Sequence, residues 1–423
     1  MELAFPRLEL IGRDHAPPIV IGVGELRMKS PNEFSFVLRG TPTDMSYAHE
    51  EIRRQKENPY DGSARFRLVG IDRDGLEWSF GWTIPRIEIG EPSWKFEGEV
   101  DGLWPNDKSD TVSRDSTTEV IFLVPRSHPI ARTLQRFLLK HPVQGEPRYE
   151  HVMEVLGSTI QFVYEPSRDT LSVTANHSSD LPPTHTENWL GEPLRILLGQ
   201  LVYPRLVARN LGGGHSHISI RKSPTIIYNA AWVALWSTKN LSADEEAFWT
   251  AYAQLLNLIA QARDKNGQRN FEAHKITRLY EELIQVSHGS RWVWALTFAS
   301  SVEGLAKMLI PEDVKPTTAE SDAITLLVTH INAGTGDPWL KMIATNAVNR
   351  TAEMTTIRVL RDLKATGVVM GDQLKAWEEI RNSVMHGSLV SPYSSESEDA
   401  KLLALAAMLH ALTKEILRRS AIS

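Results

Sequence analysis

Hydrophobic and polar residues alternate in short runs along the first half of the chain, and proline, glycine or aspartate bounds each run. This pattern is typical of β-strands. Asp72-Arg73-Asp74-Gly75 separates two such runs and predicts a hairpin over 64–82. A second hairpin is predicted over 161–174, around Pro166-Ser167-Arg168-Asp169. Further strands are predicted at 19–23, 34–38 and 118–124.

Two stretches of this half have helical spacing instead. A short helix is predicted at 130–139, and a leucine stripe predicts a longer one at 188–210, interrupted by Pro204. Because the glycine run at 211–214 follows a predicted helix, it indicates a flexible stop and not a phosphate loop. Four tryptophans that cluster in this half are expected to fill a sheet core, with base stacking as the alternative; they are Trp78, Trp82, Trp94 and Trp104.

From Ser242 onward, apolar residues recur three and four positions apart. Ser242-Ala243-Asp244-Glu245 matches a capping box and predicts a helix that reaches Arg263. Further helices are predicted at 271–287, 291–309, 318–331, 339–365, 372–386 and 397–419. Of these, 291–309, 339–365, 372–386 and 397–419 are predicted to form a four-helix bundle.

The predicted fold class is therefore α+β, with a β-rich, sandwich-like region followed by an all-α bundle. The predicted domains are a β-rich sensing or regulatory region over 1–237, connecting helices over 238–290 and the bundle over 291–423.

Composition narrows the function classes. The chain has 423 residues and no cysteine, which excludes disulfides, cysteine-ligated zinc and a thiol nucleophile. The N-terminal residues lack the pattern of a signal peptide, and no apolar run reaches the length of a membrane span. We therefore expect a soluble, cytoplasmic protein without a membrane partner. The net charge of −6 argues against a broad electrostatic surface for nucleic acid, so any RNA must be bound locally or between subunits.

The predicted helix 372–386 ends in an unusual group of polar residues. Trp377, Ile380 and Val384 form its apolar stripe, and Gly387 follows as a residue that readily ends a helix. At about 100° per residue, Asn382 and His386 lie one above the other, away from that stripe.

Arg381 is on the neighbouring face of the same helix. A guanidinium, an amide and an imidazole are thus grouped at one helix end, and this combination suits a phosphodiester.

The segment Arg381-Asn382-x-x-x-His386 resembles the R-N-x-x-x-H form of the HEPN superfamily signature, as found in HEPN domains similar to ApeA. The resemblance covers the last third of the chain. It implies a helical bundle that pairs as a homodimer, so that two motifs face each other across one cleft. It also implies a metal-independent endoribonuclease that acts as a toxin in antiphage defence, with a phage-derived trigger or an antitoxin as possible partner. No cofactor or metal is expected.

RNA cleavage of this kind requires an acid, a base and positive charge near the phosphate. His386 is the predicted acid or base, Arg381 the phosphate ligand, and Asn382 the residue that orients the imidazole or holds a phosphate oxygen. By resemblance, HEPN domains place a polar side chain from an earlier helix near the motif. Glu303 fits that position, where its carboxylate can hold Arg381 in place.

Three alternatives remain at this point. Arg269-Asn270-x-x-x-His274 repeats the motif, but it follows a loop signal and lies where a helix begins. The bundle can instead be a non-catalytic dimerisation or nucleotide-binding module, with recognition by the β-rich region. A metal-dependent hydrolase would use four histidines that lack a recognisable ligand spacing; they are His177, His185, His215 and His217.

Overall fold

The computed structural model covers the whole chain and describes most of it. The described residues are 2–12, 17–30, 33–58, 61–106, 113, 115–127, 129–142, 147–212, 215–222, 230–236, 245–310, 318–350, 355–385 and 395–421. The chain divides into two compact units. The sheet unit comprises Met1–Leu194, Val202–Ile227 and Ile259–Ala273, and the helical unit comprises Arg195–Leu201, Tyr228–Leu258 and His274–Ser423.

The sheet unit contains all the described strands, which pair antiparallel with their neighbours. They are β1 (Glu2–Ile11), β2 (Pro18–Ser30), β3 (Glu33–Pro42), β4 (Phe66–Ile71), β5 (Glu77–Thr83), β6 (Arg86–Glu88), β7 (Trp94–Glu99), β8 (Gly102–Pro105), β9 (Thr117–Leu123), β10 (Leu139–Pro142), β11 (Pro147–Val155), β12 (Ser158–Glu165), β13 (Thr170–Asn176), β14 (Leu206–Gly212) and β15 (His215–Arg221). Among the described residues their order is β10-β11-β12-β13-β9-β14-β15-β8-β5-β4-β1-β2-β3-β7-β6. Because β8 pairs with both β5 and β15, the ladder of strands is continuous.

The hairpin predicted over 64–82 is confirmed, and one aspartate organises its turn. Asp72 Oδ1 accepts hydrogen bonds from the backbone N–H groups of Asp74 and Leu76, each at 2.9 Å. Its Oδ2 accepts a third from Trp78 Nε1 at 2.9 Å. Gly75 has φ +84°, a conformation that glycine adopts without strain. The hairpin predicted over 161–174 is confirmed as β12 and β13.

The core of the first seven strands is rich in phenylalanine. The rings of Phe34, Phe66, Phe80 and Phe96 are fully buried, and Trp94 packs among them at 4% exposure. The prediction that the tryptophans fill a core therefore holds for Trp94. It was wrong for Trp82, which is 41% exposed, while Trp78 packs against the core only in part and Trp104 is partly buried.

The long helix predicted over 188–210 is replaced by shorter elements. The chain forms α3 (Pro183–Trp189) and α4 (Glu192–Leu198), and then strand β14. The spacing of the buried residues changes after Pro204. Val207 and Arg209 are two positions apart and both are buried, which is the period of a strand. Arg209 Nη2 donates to the carboxylate of Glu187 at 2.8 Å, so its charge is compensated where it is buried.

The remaining helices are α1 (Met45–Glu57), α2 (Pro129–Phe137), α5 (Glu245–Gln261), α6 (Lys275–Val286), α7 (Arg291–Met308), α8 (Thr318–Ala333), α9 (Pro338–Arg350), α10 (Thr356–Ala365), α11 (Gly371–Met385) and α12 (Glu396–Ser420). The helix predicted at 130–139 is confirmed as α2. Of the predicted capping box 242–245, only Glu245 is described, as the first residue of α5, and residues 242–244 lie outside the described residues. None of the described helices is long and apolar enough to cross a membrane.

Helix α7 is at the centre of the helical unit, where it packs against α6, α10, α11 and α12. The prediction of a single helix over 339–365 was wrong. A separate helix, α10, begins after Thr355, and the hydroxyl of Thr355 accepts a hydrogen bond from the N–H of Arg358 at 3.4 Å. Of the two helices observed in this range, α10 packs against α7 and so joins the bundle, whereas α9 packs on α8. The predicted α+β class, β-rich first and helical afterwards, is confirmed.

Candidate active site

Helix α11 is fixed to α7 by its apolar stripe. Trp377 is 3% exposed and Ile380 is 7% exposed. The indole Nε1 of Trp377 donates to the backbone oxygen of Ala299 at 3.0 Å. The stripe predicted from the sequence is thus confirmed for these two residues, while the side chain of Val384 lies outside the described ones.

Arg381 follows Trp377 by one turn and lies at the surface of the helical unit. Its Nε donates to Glu303 Oε2 on α7 at 3.3 Å, and the guanidinium carbon is 5.5 Å from the centre of the Trp377 ring. A cation above an indole ring is attracted by the ring electrons. Since the side chain is still 43% exposed, the guanidinium remains accessible to a ligand.

Glu303 pairs with two cations. Its Oε2 accepts from Arg381, and its Oε1 lies 2.9 Å from the Nζ of Lys307, four residues later on the same helix. The hydrogen bond from Lys307 holds the pKa of the Glu303 carboxyl below its ordinary value, and Arg381 acts in the same direction. Glu303 therefore stays ionised, and the placement predicted for it beside Arg381 is observed.

A cleft of about 580 Å³ opens beside this group within the helical unit. Its cationic and amide side chains are Arg381, Lys307 and Asn382, and the buried Trp377 supplies an apolar wall. Asn382 is exposed, as expected for a residue on the face away from the stripe. The other residues that line the cleft are Glu303, Ile310, Thr355, Thr356, Ile357 and Glu378.

Lys307 was absent from the residues predicted for the site. A signal for it exists in the sequence, since Glu303 and Lys307 are four apart on a predicted helix and such pairs meet on one face. The predicted His386 and Gly387 lie outside the described residues, because the description of α11 ends at Met385. The structure thus brings together Arg381, Asn382 and Glu303 from the predicted set.

The second copy of the motif serves local structure. His274 is the N-cap of α6, where its Nδ1 accepts from the N–H of Ile276 at 3.2 Å. Burial lowers the pKa of His274 to about 4, so the ring is neutral near pH 7 and keeps this acceptor. Arg269 donates to the backbone oxygen of Ser179 in the sheet unit.

The four histidines considered as metal ligands do not converge. His177 Nε2 is 2.6 Å from the hydroxyl of Thr118, and His185 stacks on Phe271 with ring centres 4.2 Å apart. His215 and His217 lie on β15. Within the described part of the chain, no group of three histidine, aspartate or glutamate residues is arranged to hold a metal ion.

Comparison with known proteins found no matching family model, no matching curated protein and no matching solved structure.

Proposed function

We propose that this chain is a metal-independent endoribonuclease that acts as a homodimer, with Arg381 and His386 as its reactive pair. The observation that carries the proposal is the setting of Arg381. It is held by Glu303, lies against Trp377 and lines a cleft together with Lys307 and Asn382. A guanidinium held in this way is suited to bind phosphate oxygens through two parallel hydrogen bonds.

The proposed reaction is a transfer of the phosphoryl group within the RNA strand. A base removes the proton of the 2′-hydroxyl, the 2′-oxygen attacks the neighbouring phosphorus, and the 5′-oxygen leaves with a proton from an acid. The products are a 2′,3′-cyclic phosphate and a free 5′-hydroxyl. His386 is assigned as acid or base because imidazole titrates near neutral pH. One histidine per chain supplies only one of the two roles, and a second copy supplies the other.

The charges of the described cleft suit local binding of one phosphate. Arg381 and Lys307 carry two positive charges, and the lining carboxylates Glu303 and Glu378 carry two negative charges, so the attraction for a phosphate is confined to the guanidinium and the ammonium group. The cleft volume of about 580 Å³ is within the usual range for small-molecule sites and matches a nucleotide better than a duplex. This agrees with the net charge of −6, which disfavours binding over a broad surface.

The proposal is tested by expressing the wild type, Arg381→Ala and His386→Ala and incubating each with RNA in EDTA. We expect cleavage by the wild type and loss of cleavage in both variants. Arg269→Ala is the matched control and should cut RNA like the wild type, because Arg269 bonds a backbone oxygen in the sheet unit. Cleavage that survives in both site variants overturns the assignment. A toxin effector of antiphage defence should also slow growth when expressed, and only with the site intact.

One observation favours a second candidate, a nucleotide-binding module without cleavage. Glu303 already compensates part of the positive charge of Arg381 and Lys307, which lowers the charge left to stabilise a transition state. Such a module binds a mononucleotide in the cleft and leaves RNA intact. Binding of AMP or ATP by the wild type without any RNA cleavage in the same preparation would favour this candidate.

A further inference from the structure

A second cleft lies in the helical unit, between α5, α12 and the residues that precede α5. It has a volume of about 360 Å³, near the lower end of the range for small-molecule sites. It shares no lining residue with the cleft of Arg381. We call it the α5–α12 cleft, and none of its residues has a role in the proposed reaction.

The wall formed by α5 carries small and polar side chains. They are Ala247, Thr250, Ala251 and Gln254. Intervals of three and four residues place them on one side of the helix. An alanine side chain ends at its β-carbon, so at positions 247 and 251 the surface of α5 leaves a space that a larger residue would fill. The cleft therefore results from small residues on this face of α5.

The wall that precedes α5 is fixed to the helical unit by hydrogen bonds. The backbone N–H of Trp236 donates to the backbone oxygen of Leu197 at 3.0 Å. His410 Nε2 on α12 donates to the backbone oxygen of Val233, also at 3.0 Å. Burial lowers the pKa of His410 to about 4, so this ring is neutral near pH 7. His410 thus holds the wall in place without adding a positive charge.

Lys414 is the cation of the α5–α12 cleft. It follows His410 by one turn of α12, and its Nζ lies 5.6 Å from the centre of the Trp236 ring. The next cations of this helix are paired, since Glu415 accepts from both Arg418 and Arg419. Lys414 forms no ion pair with any carboxylate of the described residues. Its charge is therefore open to an anion from outside the chain.

The rest of the lining is mostly apolar. Leu235 and Leu417 are buried, at 5% and 3% exposure, and the ring of Trp236 also lines the cleft. With the methyl groups of the two alanines, these side chains form a surface on which the hydrocarbon part of a ligand would be removed from water. Such burial is the main source of affinity in small-molecule sites. The ligand should therefore have an apolar body.

The charged groups limit the ligand to a single negative charge. Glu246 also lines the cleft, and this exposed carboxylate already has an interaction of its own. One cation and one carboxylate leave no excess of positive charge for a dianion such as a phosphate monoester. A ligand carboxylate would instead accept from Lys414, and the hydroxyl of Thr250 and the amide of Gln254 supply further donors.

We propose that the α5–α12 cleft binds a small monocarboxylate with an apolar body. The carboxylate is placed at Lys414, and the body packs against Leu235 and Leu417. Alkyl and aryl acids share this chemistry, and the test below distinguishes them. The proposal goes beyond the proposed nuclease activity and holds whether or not the chain cuts RNA.

Titration calorimetry on the full-length protein tests the requirement for charge. Phenylacetate should bind, whereas phenylacetamide, which has nearly the same shape and no charge, should bind roughly tenfold more weakly or worse. Octanoate replaces the aryl body by an alkyl chain, and the tighter of the two acids identifies the kind of ligand. No binding of either acid at about 1 mM, or equal binding of phenylacetate and its amide, overturns the proposal.

Two variants locate the ligand, each with a control on the same helix. Lys414→Met should lower the affinity for the acid to that for the amide. Lys401→Met removes a lysine that is 2.7 Å from Glu379 and should change neither affinity. Ala247→Leu fills the cleft and should weaken both ligands roughly tenfold or more, whereas Ala253→Leu, outside the cleft, should not. Affinities that Lys414→Met and Ala247→Leu leave unchanged overturn the proposal.

Arg381→Ala separates the two clefts of the helical unit. Phenylacetate should bind to this variant as it does to the wild type, and a loss of binding would assign the acid to the cleft of Arg381 and overturn the proposal. Phenyl phosphate is compared in the same variant, because Arg381 is itself the proposed phosphate ligand. It should bind no more tightly than phenylacetate, and a clear preference for the phosphate overturns the assignment of a monocarboxylate. None of these measurements depends on RNA cleavage, so the nuclease and the acid site stand or fall separately.

Discussion

Arg381 lies against Trp377, with its guanidinium carbon 5.5 Å from the centre of the indole ring. The two residues are one turn apart on α11, and they contact Ala299 and Glu303, which are one turn apart on α7. The buried indole and the ion pair therefore act together to place the guanidinium at the cleft. The position of Arg381 depends on residues that need not touch a substrate.

Replacing Trp377 by phenylalanine should destabilise the helical unit and weaken the site. The variant loses the hydrogen bond to Ala299 and leaves a small cavity, which we expect to cost roughly 2 kcal/mol of unfolding free energy. Urea unfolding followed by circular dichroism measures this. Trp82→Phe is the control, because Trp82 is 41% exposed and its truncation should cost less than about 0.5 kcal/mol. Equal losses of unfolding free energy in the two variants would contradict the role of Trp377 in fixing α11 to α7.

Glu303→Gln should lower the rate of RNA cleavage while changing the unfolding free energy only slightly. The neutral amide keeps the shape but no longer pairs with Arg381 and Lys307, so the guanidinium is less well placed. Because these cations are about half exposed, the loss of unfolding free energy at pH 7 should be less than about 1 kcal/mol. Glu378→Gln is the control, since Glu378 also lines the cleft and its carboxylate is 4.0 Å from Arg361.

The pH dependence of this variant has a defined sign. The pKa of Glu303 is lowered in the folded state, so its contribution is present above the ordinary value of 4.5 and is lost as the pH falls through the lower folded pKa. The difference in unfolding free energy between wild type and Glu303→Gln should therefore shrink as the pH falls below 4.5. A difference that grows toward acid pH would contradict the ion-pair role.

Lys307→Met should weaken RNA binding without abolishing it. In a His386→Ala background, where RNA stays intact, the loss of one phosphate contact should cost roughly tenfold in affinity. The slope of log affinity against log salt should become shallower by about 0.7, the value for one contact to a single strand. Lys375→Met is the matched control, because Lys375 is 78% exposed and pairs with Glu379. If the slope of log affinity against log salt is unchanged in Lys307→Met, Lys307 does not contact a phosphate of the bound RNA.

His274→Asn should reduce the acid sensitivity of the helical unit. The folded pKa of His274 is about 4 and the ordinary value is 6.5, so its neutral form is favoured by folding. The corresponding stability is complete above pH 6.5 and is lost as the pH falls toward 4. Asparagine is a good N-cap that does not titrate in this range. The variant should match the wild type at pH 7 and lose less unfolding free energy between pH 6.5 and 4, as urea titrations at each pH will show.

The parts of the fold predicted from the sequence are those in which local pattern and turn chemistry agree. The hairpin of β4 and β5 was predicted because Asp72 and Gly75 specify its turn. The strand β14 was missed because leucines before Pro204 have helical spacing, and only pairing with β9 and β15 decides the residues after it. The separation of α9 from α10 was missed because it depends on which helix each one packs against. Helix α9 packs on α8, whereas α10 packs on α7.

In the site, too, the features set by local sequence were predicted and those set by packing were not. The group of Arg381, Asn382 and His386 was predicted from spacing on one helix, which is local information. The pairing of Arg381 with Glu303 joins residues 78 apart and was expected only by resemblance, since spacing on one helix says nothing about it. Lys307 and the cleft were not predicted, because the shape of a cleft depends on how α7, α10 and α11 pack.

The central claim is tested most directly by the chemistry of the cut ends. A defined RNA oligonucleotide is incubated with wild-type protein in EDTA, beside the same oligonucleotide carrying 2′-deoxynucleotides, and the products are analysed by mass spectrometry. The account predicts 2′,3′-cyclic phosphate ends from the RNA, no cleavage of the deoxy substrate, and no cleavage by Arg381→Ala or His386→Ala. Cleavage of the deoxy substrate, or cyclic phosphate ends from either variant, would contradict it.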